Sequence, residues 1–149
     1  MIREKYTESA LETTHLGFQV GLLLKKGMVL LLEGNLAAGK TTFTKGIGQA
    51  LGIKRNINSP TFTILKRYVN DENKLYHIDL YRLDSEGSDF DLEDYINSDG
   101  ISVIEWPFKL ESLLPRSYLL IKLSDLGDDK RKFVFKAIGS DYEQVVKYI

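Results

Sequence analysis

Met28-Val-Leu-Leu-Leu-Glu33-Gly34-Asn-Leu-Ala-Ala-Gly39-Lys40-Thr41-Thr42 passes from an unbroken apolar run into a glycine-bounded turn and then into a helix-forming segment. An apolar run that stops at a glycine is the pattern of a strand buried on both faces, as in a parallel sheet. Lys40–Leu51 reads as the following helix, closed by Gly52. The turn between them fits G-x-x-x-x-G-K-[ST]. Glycines let the main chain fold tightly so that its N–H groups point at phosphate oxygens, and the helix N-terminus adds the positive end of its dipole. On this pattern ATP·Mg²⁺ sits on Gly34, Asn35, Leu36, Ala37, Ala38, Gly39, Lys40, Thr41 and Thr42. Lys40 reaches the β- and γ-phosphates and the Thr41 hydroxyl ligates Mg²⁺.

Such a loop also needs a carboxylate at the end of a neighbouring strand, to hold the metal or activate water. Ile101-Ser-Val-Ile-Glu105-Trp106 ends in an acid after a buried-strand run, where an unpaired carboxylate is costly. Glu105 is therefore the favoured metal ligand. Asp79, in Leu75-Tyr-His-Ile-Asp-Leu-Tyr-Arg82, stays open between a metal-site and a structural role. Taken singly, His77 and Trp106 read as interior residues and Arg82 as a surface ion-pair former. Thr61, in the turn Ser59-Pro60-Thr61-Phe62, is either a plain turn residue or a second hydroxyl near magnesium.

Upstream, Ser9 and Glu12 have capping-box spacing, and Leu16, Val20, Leu23 and Leu24 recur at helical intervals, so the reading is a helix over Ala10–Lys26 stopped by Gly27. Downstream, Phe62–Tyr68 and Lys74–Tyr81 read as a hairpin and Asp89–Asn97 as a short helix. Tyr118–Leu123 and Lys132–Ile138 read as a second hairpin around a loop over Ser124–Arg131, and Asp141–Ile149 as a terminal helix. The expected fold is α/β: a P-loop NTPase whose mixed central sheet is parallel around the loop, antiparallel at the edges and flanked by helices. With 149 residues and 43% hydrophobic content, one domain over 1–149 is expected.

There is no cysteine, which excludes disulfides, thiolate zinc sites and thiol nucleophiles. The N-terminus is polar and the longest apolar runs fall far short of a membrane span, so a cytoplasmic protein with no membrane partner is expected. Net charge is −1, without the basic excess of an autonomous nucleic-acid binder. Leu83–Gly100 holds seven acids and no Lys or Arg, either a solvated segment or a docking surface for a basic partner.

Taken together, Gly34–Thr42, Ser59-Pro60-Thr61-Phe62, His77-Ile-Asp79-Leu-Tyr81-Arg82 and Ile104-Glu105-Trp106 resemble, in order and spacing, the bacterial TsaE (YjeE) family. That resemblance covers nearly the whole chain. It implies a single-domain P-loop ATPase acting with TsaB and TsaD, which install threonylcarbamoyl on the adenosine beside the tRNA anticodon, with tRNA reached through the complex. It further implies that Thr41 and Glu105 serve Mg²⁺, and that Lys40, Asp79 and Glu105 form the catalytic set. Thr61 and Trp106 gain functional roles by the same resemblance. Thr13, in Thr-x-x-Leu-Gly, matches a family threonine near the nucleotide, and Arg131 or Lys132 matches a basic position there. Three departures stand out: Asn35 for Asp, Ala37 for Gly, and Phe108 where a polar residue is commoner. At a position needing positive φ, alanine costs roughly 1 kcal/mol or more.

The rival readings are a small-molecule kinase, a GTP-driven switch and a nucleotide-gated scaffold. Leu83–Gly100 lacks the arginine of a kinase lid, and Asn73-Lys74-Leu75-Tyr76 lacks the aspartate of N-K-x-D.

Overall fold

A computed structural model describes residues 1–35, 38–60, 65–80, 93–96, 98–105 and 114–149. Among these, β1 (Ile2–Thr7), β2 (Val29–Glu33), β3 (Leu65–Val69), β4 (Lys74–Asp79), β5 (Ile101–Glu105), β6 (Tyr118–Gly127) and β7 (Lys130–Ile138) form one sheet in the order β1-β7-β6-β2-β5-β4-β3. The helices are α1 (Ala10–Leu22), α2 (Lys40–Ala50), α3 (Glu93–Ile96) and α4 (Ser140–Tyr148). β2 lies between β5 and β6, parallel to both, and β4 extends the parallel block beyond β5. The β1/β7, β6/β7 and β3/β4 pairs are antiparallel. This is the mixed, edge-hairpin α/β sheet expected from the sequence.

Central position explains why Val29–Leu32 are all buried: each face of β2 meets a separate apolar layer. On one face Leu30 and Leu32 join Leu16 and Val20 of α1, Phe43 and Ile47 of α2, and Val145 and Val146 of α4. On the other, Val29 and Leu31 join Ile78, Ile104 and Ile96. Phe133 and Phe135 of β7 close the first layer, with the Phe43 ring 5.3 Å from that of Phe133.

α1 starts where the cap predicts: Ser9 Oγ accepts from the Glu12 N–H at 3.1 Å. The Glu12 carboxylate accepts from the Glu8 N–H at 3.2 Å, one residue before the cap. The helix ends at Leu22 rather than Lys26, because the Leu23 and Leu24 N–H groups bond Val20 and Gly21 carbonyls in a tighter turn. α1 and α2 cross at glycines. A Cβ at Gly17 would lie 2.1 Å from the Phe43 carbonyl oxygen, and one at Gly46 would lie 2.0 Å from that of Thr14.

Two further expectations need correction. The loop over Ser124–Arg131 shrinks to Asp128-Asp129, both at positive φ (53° and 63°), as a tight hairpin turn demands. Aspartate tolerates that region by bonding locally, so Gly-Asp-Asp turns the chain within two residues and places Arg131 inside β7. β1 was not anticipated: in Ile-Arg-Glu-Lys-Tyr-Thr, exposed Ile2, Glu4 and Tyr6 alternate with half-buried Arg3 and Lys5 at a sheet edge, where charged residues suit an unpaired border. The described parts of the remaining elements follow expectation, with β3 pairing β4 and α3 lying inside Asp89–Asn97. Residues 62–64, Tyr81 and most of Leu83–Gly100 lie outside the described residues. No helix among the described residues is long and apolar enough to cross a membrane.

Candidate functional site

The loop after β2 closes on itself: the Ala38 N–H donates to the Asn35 carbonyl at 2.9 Å. Gly39 then takes φ +97°, a left-handed conformation that disfavours any side chain, and α2 begins at Lys40. Ser9 caps α1, but among the described residues no side chain caps α2, and its first turn carries no acid. Its leading N–H groups and dipole are thus available to an anion.

Lys40 is 3% exposed. Its ammonium donates to the Gly34 carbonyl at 2.9 Å and lies 3.6 Å from Glu105 Oε1. Burial draws this amine below its ordinary pKa, while the Glu105 and Asp79 carboxylates act the other way. Both acids are buried at the C-terminal ends of parallel strands. Glu105 pairs in register with Leu32 on one side and Asp79 on the other, so the carboxylates share one rung beside the loop. Open α/β sheets gather ligands at this end.

His77 was legible only as an interior histidine. It is fully buried, and its Nε2 hydrogen-bonds Glu105 Oε2. An ionised carboxylate only accepts, so the imidazole donates. The usable signal was strand alternation: His77 precedes Asp79 by two residues, which puts both on one face of β4.

Thr13 and Arg131 are far apart in the chain yet meet here. With Ala10, Gly39, Thr42 and Asp129 they line a cavity of about 60 Å³. Thr13 is buried, its hydroxyl 2.7 Å from that of Thr7, the residue paired with Arg131 in the sheet. Arg131 is anchored by Asp125 at 2.8 Å. Lys132, one residue on, instead faces Glu4 at 3.6 Å and the Tyr6 ring. Of the two basic candidates, Arg131 adjoins the loop. Thr41 and Thr42 are half-buried in the first turn of α2, and Asn35 is exposed beside it. Leu36, Ala37, Thr61, Arg82, Trp106 and Phe108 lie outside the described residues.

Among the described residues no three His, Asp or Glu side chains form a metal cage. The two neighbouring carboxylates, Asp79 and Glu105, suit an ion that completes its shell with water and phosphate, which is magnesium's habit.

The family model for "Threonylcarbamoyl adenosine biosynthesis protein TsaE" matches residues 7–133, from β1 through the loop and both carboxylates into β7. The chain belongs to the TsaE family. The Bacillus subtilis tRNA threonylcarbamoyladenosine biosynthesis protein TsaE is 44% identical over 90% of this chain and 85% of its own length. The Aquifex aeolicus TsaE is 37% identical over 89% of this chain and 94% of its own. A crystal structure of Bacillus subtilis YdiB superposes with a TM-score of 0.86 at 37% identity, covering 99% of this chain and 93% of the other. This TsaE-family chain therefore has a role in tRNA threonylcarbamoyladenosine biosynthesis. The family match takes in Thr13, Lys40, Asp79, Glu105 and Arg131 and stops before α4, which the site does not use.

Proposed function

We propose that the protein is a cytoplasmic ATPase that binds ATP·Mg²⁺ on Gly34–Thr42 and hydrolyses it in support of a TsaB–TsaD complex during threonylcarbamoyl modification of the adenosine beside the tRNA anticodon. The observation that carries this reading is the buried Lys40 held between the Gly34 carbonyl and Glu105 at an uncapped helix N-terminus. Magnesium, when bound, neutralises charge that develops on the transferred phosphoryl group. The chain supplies the rest. Lys40 and the loop N–H groups hold the phosphates. Thr41 and Glu105 would hold the metal, and Asp79 would orient a water for attack. The His77 N–H keeps the Glu105 carboxylate oriented once Lys40 turns to phosphate. Thr61 and Trp106 connect the γ-phosphate to the partner surface.

Glu105→Gln keeps side-chain size while removing the charge. Its kcat for ATP hydrolysis is expected to fall by roughly 10²- to 10³-fold, the scale of losing one electrostatic element of a site. Nucleotide Kd should stay within about fivefold, since most phosphate contacts persist. Steady-state hydrolysis and titration with ATP read the two separately; an unchanged kcat removes Glu105 from the site.

A transition-state arginine is often supplied in trans, so hydrolysis by the isolated protein should be slow. Adding purified TsaB and TsaD is expected to raise kcat by roughly tenfold or more. Fast turnover alone, with no response to the partners, would contradict the partner-driven reading.

A further inference from the structure

The sheet order gives the loop two unlike sides. β5 and β4 lie on one side of β2 and carry Glu105 and Asp79; β6, β7 and β1 lie on the other and, among the described residues, carry no buried acid. A metal-bound γ-phosphate belongs with the carboxylates, so the nucleoside end of ATP falls to the β7/β1 side. The cavity of about 60 Å³ lies there, with Thr13 and Arg131 in its wall beside Gly39 and Thr42. Arg131 passes close over Gly39: a Cβ at that glycine would meet its Nε at 3.3 Å.

Thr7 stands behind this wall without lining the cavity. It ends β1 and is 4% exposed, and its Oγ1 lies 2.7 Å from Thr13 Oγ1, itself 1% exposed. Thr7 is also the register partner of Arg131, and cross-strand partners project to one face of a sheet. Two residues, Glu8 and Ser9, separate β1 from α1, so the hydroxyl contact ties the fourth residue of the helix to the end of the strand. The start of the helix does not need this bond. The Thr13 N–H already donates to the Ser9 carbonyl at 3.0 Å, and Ser9 Oγ caps the first turn. Packing does not need it either, because a pair of apolar groups of the same shape would fill the space with no polar atom to satisfy.

We infer that Thr7 is a positioning residue for the nucleoside end of ATP, acting through Thr13. A hydroxyl donates once and accepts twice, so Thr13 Oγ1 bonded to Thr7 is held in one orientation and keeps bonding capacity for a ligand in the cavity. Thr7 touches no ligand; it sets the hydroxyl that does. Because the contact is already made without nucleotide, the ordering cost is met before ATP arrives. The inference rests on the ATP-binding reading and deepens it. The loop grips the phosphates, and the hydroxyl pair joining β1 to α1 favours a ligand that carries a sugar and base over one that does not.

The test compares two ligands by calorimetric titration of the full chain, ATP and inorganic tripolyphosphate, each with Mg²⁺. Tripolyphosphate offers the phosphates without sugar or base. Thr7→Val, which exchanges the hydroxyl for a methyl group, should weaken ATP binding roughly fivefold, the scale of one neutral hydrogen bond, and leave tripolyphosphate within about twofold. Thr7→Ser, which keeps the hydroxyl, should hold ATP affinity within about twofold of the wild type. Thr13→Val should lose at least as much as Thr7→Val, and the double variant no more than Thr13→Val alone, since Thr7 acts only through Thr13. Equal losses for ATP and tripolyphosphate overturn the inference in favour of a purely structural bond. Losses that multiply in the double variant overturn the route through Thr13. Unchanged ATP affinity in Thr7→Val overturns the inference and leaves the loop reading standing, whereas a wild type that binds neither ligand overturns both.

Discussion

Lys40→Ala is expected to lower ATP affinity by at least about hundredfold, a cost near 3 kcal/mol at roughly 1.4 kcal/mol per tenfold. The size follows from burial. Lys40 is 3% exposed, and its charge is already focused between Gly34 and two carboxylates. An ammonium in such a site interacts with phosphate in a medium far less screening than water. Removing it would also leave Glu105 and Asp79 facing the phosphates without an intervening cation. Lys40→Arg is not expected to rescue binding, because the planar guanidinium needs more room than this buried position gives an ammonium. The fold should survive, since Glu105 keeps its bond from His77. Calorimetric titration with ATP, alongside a circular-dichroism melt, separates these outcomes. Micromolar affinity retained by Lys40→Ala would sink the loop assignment.

The second large effect concerns stability. Gly46→Ala should lower the melting temperature by roughly 6–12 °C, from about 3 kcal/mol of destabilisation in a chain of this size. Two terms oppose each other. Alanine gains about 1 kcal/mol of helix propensity over glycine. Against that, the new Cβ would stand 2.0 Å from the Thr14 carbonyl oxygen and 2.7 Å from the Phe18 nitrogen, both main-chain atoms of α1. Main chain cannot rotate away, so the helices must separate and the Leu16, Phe43 and Ile47 packing opens with them. Gly48→Ala is the control. There the nearest atom is Ile57 Cδ1, the movable end of a side chain, and the cost should stay below about 1 kcal/mol. Equal melting temperatures for the two variants would refute the crossing argument. Because α1 carries Thr13 and α2 carries Lys40, Gly46→Ala should also weaken nucleotide binding, by shifting one wall of the site against the other.

Much of this organisation was legible because it is local. The capping residue Ser9, the apolar run of β2 and the glycine at position 39 act on their own neighbours, and their geometry appears where the pattern puts it. Glu105 stood out because a carboxylate at the end of a buried strand requires a partner. The end of α1 was misplaced by four residues, since Leu23 and Leu24 continue the apolar periodicity while their N–H groups have already left the helix ladder. β1 was missed because an exposed edge strand leaves almost no apolar alternation to read.

By itself, then, the sequence determined the loop, the strand and helix that flank it, and the residue types able to handle phosphate and metal. Each of these depends on contacts within a few residues. Only the tertiary structure decided which distant residues join them. The register of β4 on β5 sets Asp79 beside Glu105 and brings the His77 N–H to the same carboxylate. The two-residue Asp128-Asp129 turn and the pairing of β1 with β7 bring Arg131, rather than Lys132, to Gly39 and Thr13. Pairing across a sheet depends on the whole set of strands at once. A shift of one residue would turn every one of these side chains to the opposite face.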